Sequence, residues 1–227
     1  MQIIKIDVVS DVVCPWCYIG KRRLEKAMGQ LKDRYDFEVA YHPFELNPDM
    51  PKAGLNQKEY LTTKFGTEEK YLQIVNHVTS VAAGEGLKFD FGKQETSPNT
   101  MDAHRLIAYA KREGKQQAMK EALMSAYFEK GVNLTRTKNL VAAAVQLGMD
   151  AEAVESFLKS DELTAEVKME EQLNSQRGIS GVPFYIINNK YGVSGAQPPE
   201  VFVKAFAEIG QEFSPSGDAC KVDTEAC

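Results

Sequence analysis

Cys14 and Cys17 are two thiols three positions apart, with Pro15 and Trp16 between them. Such a pair supports two kinds of chemistry. It can open and close as a disulfide, or it can supply half of a tetrahedral zinc site. Zinc needs a second closely spaced pair. The other cysteines, Cys220 and Cys227, lie in the C-terminal tail, and His42, His77 and His104 are isolated from one another. None has zinc-like spacing. Redox chemistry is therefore the favoured reading, and no metal is expected.

The flanking residues point the same way. Ile3-Ile4-Lys5-Ile6-Asp7-Val8-Val9 precedes the pair as an apolar strand, and a helix-like run from Ile19 to Leu31 follows it. Pro15 suits the first position of that helix, where its ring presets φ and no N–H is lost. Cys14 then falls near the N-cap. Free backbone N–H groups and the positive end of the helix dipole favour a thiolate there. Cys17 lies one turn further in and is expected to be less exposed than Cys14. One sulfur attacks and the other resolves, the minimum for thiol–disulfide exchange.

The whole chain sets the frame. Its 227 residues suffice for a core without disulfide staples. Apolar content of 43% and charged content of 26% are those of an ordinary globular protein. A net charge of −5 without a basic block argues against a nucleic-acid partner. No apolar run is long enough to span a membrane. The N-terminus enters directly into the strand pattern, with no leader-like region, so a cytosolic location is expected. Stable disulfides are rare there, and C-x-x-C pairs are usually catalytic.

The elements follow in order. Leu24, Ala27, Met28 and Leu31 give the first helix a buried face, with Lys21, Arg22 and Arg23 expected on its wet side. Residues 37–42 alternate as a second strand that Pro43 ends, completing a βαβ unit. From about Gln57 to Arg177 the pattern is helical throughout. Thr67 caps a helix burying Leu72, Val75, Val78 and Ala82. Asn99 caps one burying Ala103, Leu106, Ile107 and Ala110. A third carries Met119, Ala122, Leu123 and Ala126, and Thr137 leads into Leu140, Val141, Ala144 and Val145. Asp150 starts a short helix around Val154, and Asp161 a charged one ending before Gly178. Strand character returns at Val182 to Ile187. Asn188-Asn189-Lys190 reads as a hairpin turn into Tyr191-Gly192-Val193. Pro198 and Pro199 open a last helix burying Val201, Phe202, Ala205, Phe206 and Ile209.

Pro183 stands at the start of an apolar strand, where proline forfeits a ladder hydrogen bond. With a C-x-x-C upstream, it is expected to be a cis proline that turns the Val182 backbone towards the cysteines. Asp11 or Asp7 could accept a proton from Cys17, although each also suits a plain strand-end carboxylate. His104 could face the cleft or be an ordinary hydrogen-bonded helix histidine. Trp16 could contact substrate or pack.

Strand, C-x-x-C on a helix, strand, helical block, Gly181-Val182-Pro183, hairpin and helix together resemble the DsbA-like thioredoxin-fold superfamily. Ser10 to Lys21, with Pro43-Phe44-Glu45-Leu46-Asn47-Pro48, look like its FrnE-type cytosolic oxidoreductases. The resemblance implies an α/β thioredoxin fold with a large all-helical insertion. Residues 1–56 and 178–213 would form the thioredoxin-like part, 57–177 the insertion and 214–227 a flexible tail. It implies that Cys14 is the attacking sulfur and Cys17 the resolving one. Pro15, Trp16, Val182 and Pro183 would hold substrate, the last two by strand-like pairing. No bound cofactor is implied; glutathione is a candidate redox partner.

DsbA itself has histidine between its cysteines and a potential of about −120 mV, against about −270 mV for thioredoxin. Here Trp16 fills that slot with one neutral donor, so a less oxidising pair is expected. The superfamily also holds glutathione-dependent isomerases and transferases, which carry serine where Cys14 stands. Three activities are thus in view: oxidoreductase or isomerase on protein thiols and disulfides, glutathione-dependent chemistry on a small aromatic or polyketide-like molecule, and a thiol sensor or metal buffer. Cys220 and Cys227 could be an accessory redox pair, which ranks first, a chelate for a soft metal ion, or idle. In a helix they would stand ~10.5 Å apart, beyond the ~7 Å that a disulfide allows. Ser214-Pro215-Ser216-Gly217 breaks any helix before them.

Overall fold

The computed structural model describes residues 1–212. The chain opens with β1 (Gln2–Ser10), α1 (Pro15–Leu31) and β2 (Tyr35–Pro43), and β1 and β2 pair in parallel as a βαβ unit requires. β3 (Leu55–Asn56) follows, then α2 (Gln57–Phe65), α3 (Glu68–Gly84), β4 (Thr96–Ser97), α4 (Met101–Lys111) and α5 (Gln116–Phe128). Next come α6 (Thr137–Gln146), α7 (Ala151–Lys159), α8 (Thr164–Gln176), β5 (Phe184–Ile187), β6 (Tyr191–Ser194) and α9 (Pro199–Glu212). The main sheet has the order β2-β1-β5-β6, with β5 antiparallel to β1 and to β6. This is a thioredoxin-like sheet with a helix-rich segment inserted between β2 and β5.

Several local signals act as expected. Thr67 and Asp150 accept from backbone N–H groups three residues on, and so cap α3 and α7. Asn188 and Asn189 take the positive φ values that a tight hairpin demands. Other expectations need correction. Inside the helical insertion the two-residue β4 pairs with β3, which stands just before the insertion begins. Asn99 does accept from Met101 N, but the cap position of α4 is Thr100. α8 starts at Thr164, three residues after Asp161, because Leu163 is left-handed at φ 63°. Leu72, Val145 and Val201 point to solvent. Periodicity marks a face but does not say whether a neighbour covers it.

Two cores form. One lies between the sheet, α1 and α9, where Ile4, Ile6, Val8, Leu24, Phe202 and Phe206 meet. The other fills the helical segment and draws in Val12, Cys14, Cys17, Tyr18 and Ile19. The start of α1 therefore belongs to the helical core and its later turns to the sheet core. Lys21, Arg22 and Arg23 are not simply wet. Lys21 is buried and pairs with Glu25 and with Glu121 of α5 at 2.6 Å. Arg22 binds Glu121 as well, and Arg23 binds Glu85 at 2.7 Å. These pairs tie α1 to the insertion. Arg22, Lys21 and the Tyr18 hydroxyl hold the Glu121 carboxyl down at about 2 despite partial burial.

Candidate active site

β1 delivers the chain to a short turn, and α1 leaves it at Pro15. Cys14 is the N-cap residue, with φ −88° and ψ 112°, and Pro15 occupies the first turn. The Cys14 carbonyl accepts from Cys17 N at 3.0 Å. No acidic side chain stands in that first turn to offset the helix dipole. Both thiols are free. Cys14 is 4% exposed and Cys17 3%, so the expected contrast in exposure is absent. The cause is the helical core, which closes over both sulfurs. Burial and the adjacent Cys14 push the Cys17 thiol well above its ordinary range. Lys120 and the Asp11 backbone pull it back in part.

The Val182–Pro183 bond is cis, and Cys14 Sγ lies 3.5 Å from the Val182 carbonyl oxygen. Pro183 is buried, and its own carbonyl accepts from Gly195 N at 2.8 Å. Trp16 is half-buried, with its ring centre 6.0 Å from that of His77 on α3. Cys14 and Val182 are thus brought together, and Pro15, Trp16 and Pro183 flank them.

Asp11 and His104 also come together, fully inside the protein. Asp11 accepts from Leu46 N at 2.9 Å, and His104 Nε2 lies 3.3 Å from its Oδ1. Burial alone would raise the Asp11 carboxyl. The His104 contact, the Leu46 N–H and the nearby Lys120 outweigh it and hold Asp11 below its ordinary value. For His104 burial wins, with help from Lys120, and keeps the ring below its ordinary value against the pull of Asp11. The pair is best described as an ionised carboxylate held by a neutral imidazole. Asp7 is elsewhere. It faces His42 Nε2 at 2.8 Å, while His42 Nδ1 reaches Glu170 of α8 at 3.2 Å. Cys220 and Cys227 lie outside the described residues. Among the described residues no group of three or more His, Cys, Asp or Glu is placed to hold a metal ion.

Three residues escape the sequence reading. Lys120 on α5 is 1% exposed and donates to the Ser10 carbonyl at 3.3 Å. Its signal was its position: four residues from Gln116 and from Met124, inside the buried stripe of its helix. Glu45 and Glu171 are two further carboxyls, each with an oxygen buried without a hydrogen-bond partner, that feel the Asp11 charge. Burial raises both to about 7, helped by the Asp11 charge at Glu45 and by the Glu45 and Asp11 charges at Glu171. Glu45 lies within the Pro43 to Pro48 motif, which was the available cue.

Two cavities flank this cluster. The first, of about 140 Å³, lies beside Val13 and Pro15 and is walled by apolar side chains of α2 and α3, including Leu61, Phe65 and Val78. Its polar wall is largely self-satisfied, since Gln57 and Gln94 bond to each other and Tyr127 Oη donates to Gln57 at 3.0 Å. The second cavity, of about 230 Å³, reaches Lys120 and His104 from the side of β2 and α8.

A thioredoxin-type sheet, a C-x-x-C pair capping its first helix and a proline-flanked carbonyl on the sulfur define a thiol-oxidoreductase architecture. Residues 5–207 match the model of the DSBA-like thioredoxin domain, and the chain belongs to that family. It is 35% identical to a probable DsbA oxidoreductase from Streptomyces coelicolor, with a TM-score of 0.87 over 99% of this chain and 96% of that one. It is 26% identical to the uncharacterized protein YwbO of Bacillus subtilis, over 90% of this chain and 96% of that protein. The cytosolic disulfide reductase DsbM of Pseudomonas aeruginosa, also solved with GSH, shares the fold. Its TM-score is 0.65 at 16% identity, over 92% of this chain and all of that one. Among the described residues no helix is long and apolar enough to cross a membrane.

Proposed function

We propose that the protein is a cytosolic FrnE-type thiol–disulfide oxidoreductase or isomerase acting on protein dithiols and disulfides. Cys14 attacks, Cys17 resolves, and the Val182 carbonyl edge receives an extended substrate segment. The observation that carries this reading is the placement of Cys14 at the α1 N-cap, 3.5 Å from the Val182 carbonyl, with Cys17 one turn away. A helix N-terminus favours the thiolate, and a second thiol within reach releases the substrate. Glutathione is the proposed low-molecular-weight partner, in keeping with the GSH-bound form of DsbM.

Reactivation of a scrambled-disulfide protein in a glutathione buffer tests the reading. Wild type should accelerate it, Cys14→Ser should not, and Cys17→Ser should accumulate a mixed disulfide. Wild-type protein that neither reshuffles, oxidises nor reduces any protein substrate would refute it.

A second reading is favoured by the apolar cavity beside Pro15. A dry cavity of about 150 Å³ can take up a benzene-sized ring. A glutathione-dependent reaction on a small aromatic molecule would use that space, whose wall includes Val13 and Pro15, the neighbours of Cys14 in the chain. Tight, saturable uptake of aromatic compounds combined with inert protein disulfides would make this the better account.

A further inference from the structure

A buried ammonium needs a replacement for its lost hydration. Lys120 has little. Its Nζ donates to the Ser10 carbonyl and lies 5.8 Å from the centre of the Tyr41 ring. No carboxylate of the described residues pairs with it directly. Its electrostatic partners are Cys17, Asp11 and Cys14, and it repels a charged His104.

The Ser10 carbonyl and the Asp11 N–H are the two ends of one peptide unit, and in a trans peptide they point in opposite directions. Lys120 binds the carbonyl end, and the Asp11 backbone at the other end draws the Cys17 thiol down. A cation on the carbonyl polarises the peptide and strengthens its N–H as a donor. Around Cys17, burial and Cys14 oppose ionisation, and Lys120 and the Asp11 backbone favour it.

We infer that Lys120 is a positioning residue of the redox pair, stabilising the Cys17 thiolate through the Ser10–Asp11 peptide and exchanging protons with solvent through the second cavity. The inference rests on the thiol–disulfide reading and assigns the insertion a part in it. None of Cys14, Trp16, Cys17 and Val182 lines that cavity, whereas Lys120, His104, His42, Lys111, Glu166 and Glu170 do. The charge behind the pair can therefore equilibrate while substrate covers the front.

The step affected is resolution. In the mixed disulfide, Cys14 Sγ is bonded to a substrate sulfur. Cys17 gives up its proton to water, and its thiolate attacks Cys14 Sγ. The Cys14–Cys17 bond forms, and the bond to substrate breaks. The substrate sulfur leaves as a thiolate and takes a proton from solvent. The pair has lost two electrons, the substrate disulfide has gained them, and a low-molecular-weight thiol returns them to the pair. Lys120 is unchanged.

Burial pulls Lys120 down to about 8 against the opposing pull of Cys17, Asp11 and Cys14. Its charge faces Asp11 and Cys14 on the turn, Cys17 on α1, Tyr41 on β2 and His104 on α4. Across the cavity stand His42, Lys111, Glu166 and Glu170.

Oxidised glutathione is the probe, with acid-quenched mass analysis separating mixed disulfide from closed pair. Lys120→Met should slow resolution at pH 7 by about tenfold and move its pH midpoint up by about one unit, while attack by Cys14 changes less. Lys120→Arg keeps the charge and should resolve within about threefold of wild type. An unchanged midpoint in Lys120→Met, or equal loss in Lys120→Arg, overturns the inference. Wild-type NMR provides a test that needs no substitution. Closing the Cys14–Cys17 bridge chemically removes the thiolates that Lys120 feels, so Lys120 should titrate at lower pH in the oxidised than in the reduced protein. Identical titration in the two states also overturns the inference. Because the bridge is closed by a chemical oxidant, this arm stands even if glutathione and protein disulfides prove inert, a result that would sink the redox reading alone.

Discussion

The Sγ of Cys14 lies 3.5 Å from the carbonyl oxygen of Val182, a residue 168 positions later in the chain. The contact joins the N-terminus of α1 to the strand entry that, on the proposed function, would receive a substrate backbone. Cys17 has no such edge beside it, and its thiol is held up by burial and by Cys14. Brief alkylation of the reduced protein at mildly acidic pH should therefore label Cys14 before Cys17. Peptide mapping reads the result, and preferential labelling of Cys17 would reverse the roles.

Gly20 is where α1 passes over the proline side of the site. A Cβ there would stand 2.2 Å from Tyr185 Oη and 3.2 Å from Pro183 Cγ. Tyr185 is fully buried and cannot swing aside. Gly20→Ala should cost about 1–3 kcal/mol, the usual range for overpacking. It should also disturb the spacing between Cys14 and Val182. Denaturant unfolding checks the first effect and reactivity of Cys14 the second. A variant of wild-type stability would show that this close approach is slack.

His42 clamps β1 to α8 through Asp7 and Glu170. Burial alone would lower the imidazole, but the Glu170 and Asp7 contacts raise it. A raised folded-state value means that the stabilisation is fully present below the unfolded value of about 6.5 and is lost as pH climbs through the folded one. His42→Gln should lose roughly 0.5–1 kcal/mol at pH 6, allowing for solvent screening of the exposed Glu170. The gap from wild type should close as the medium becomes alkaline. Equilibrium unfolding at several pH values tests this, and a gap that widens with pH would contradict it.

Glu45 and Glu171 carry the opposite sign. Burial and like charge raise each to about 7. A carboxyl raised on folding makes the native state less stable as pH rises from its unfolded value to its folded one. Glu171→Gln should flatten that decline between about pH 4.5 and 7. At neutral pH it should add up to about 1 kcal/mol, a figure already reduced for partial exposure. Thermal unfolding scans across that range decide the matter. A variant less stable than wild type at pH 7 would show that the carboxylate does more good than harm.

Local chemistry made much of this legible in the sequence. Pro15 and Cys14 mark a helix start because φ restriction and capping act within a few residues. Asn188-Asn189 marks a hairpin for the same reason. The Val182–Cys14 approach was readable because Pro183 is out of place in an apolar strand and a C-x-x-C lies upstream of it. What stayed hidden depends on contacts distant in sequence. His104 and Asp11 are 93 residues apart, and either alone reads as an ordinary helix or strand-end residue. Lys120 counts as polar in any pattern, yet α5 turns it inwards with Met119, Leu123 and Met124. The burial of Cys14 was also hidden, because nothing near the motif says that a helical core will close over it.

The most direct test of the central claim is the redox equilibrium of Cys14 and Cys17 themselves. The protein is equilibrated across glutathione buffers, quenched with acid and weighed after thiol labelling. The account predicts a reversible two-electron closure of the pair at about −180 to −240 mV, the isomerase and glutaredoxin range, since Trp16 lacks a cationic donor for the sulfur. A pair that stays reduced throughout, or closes irreversibly, would contradict the account.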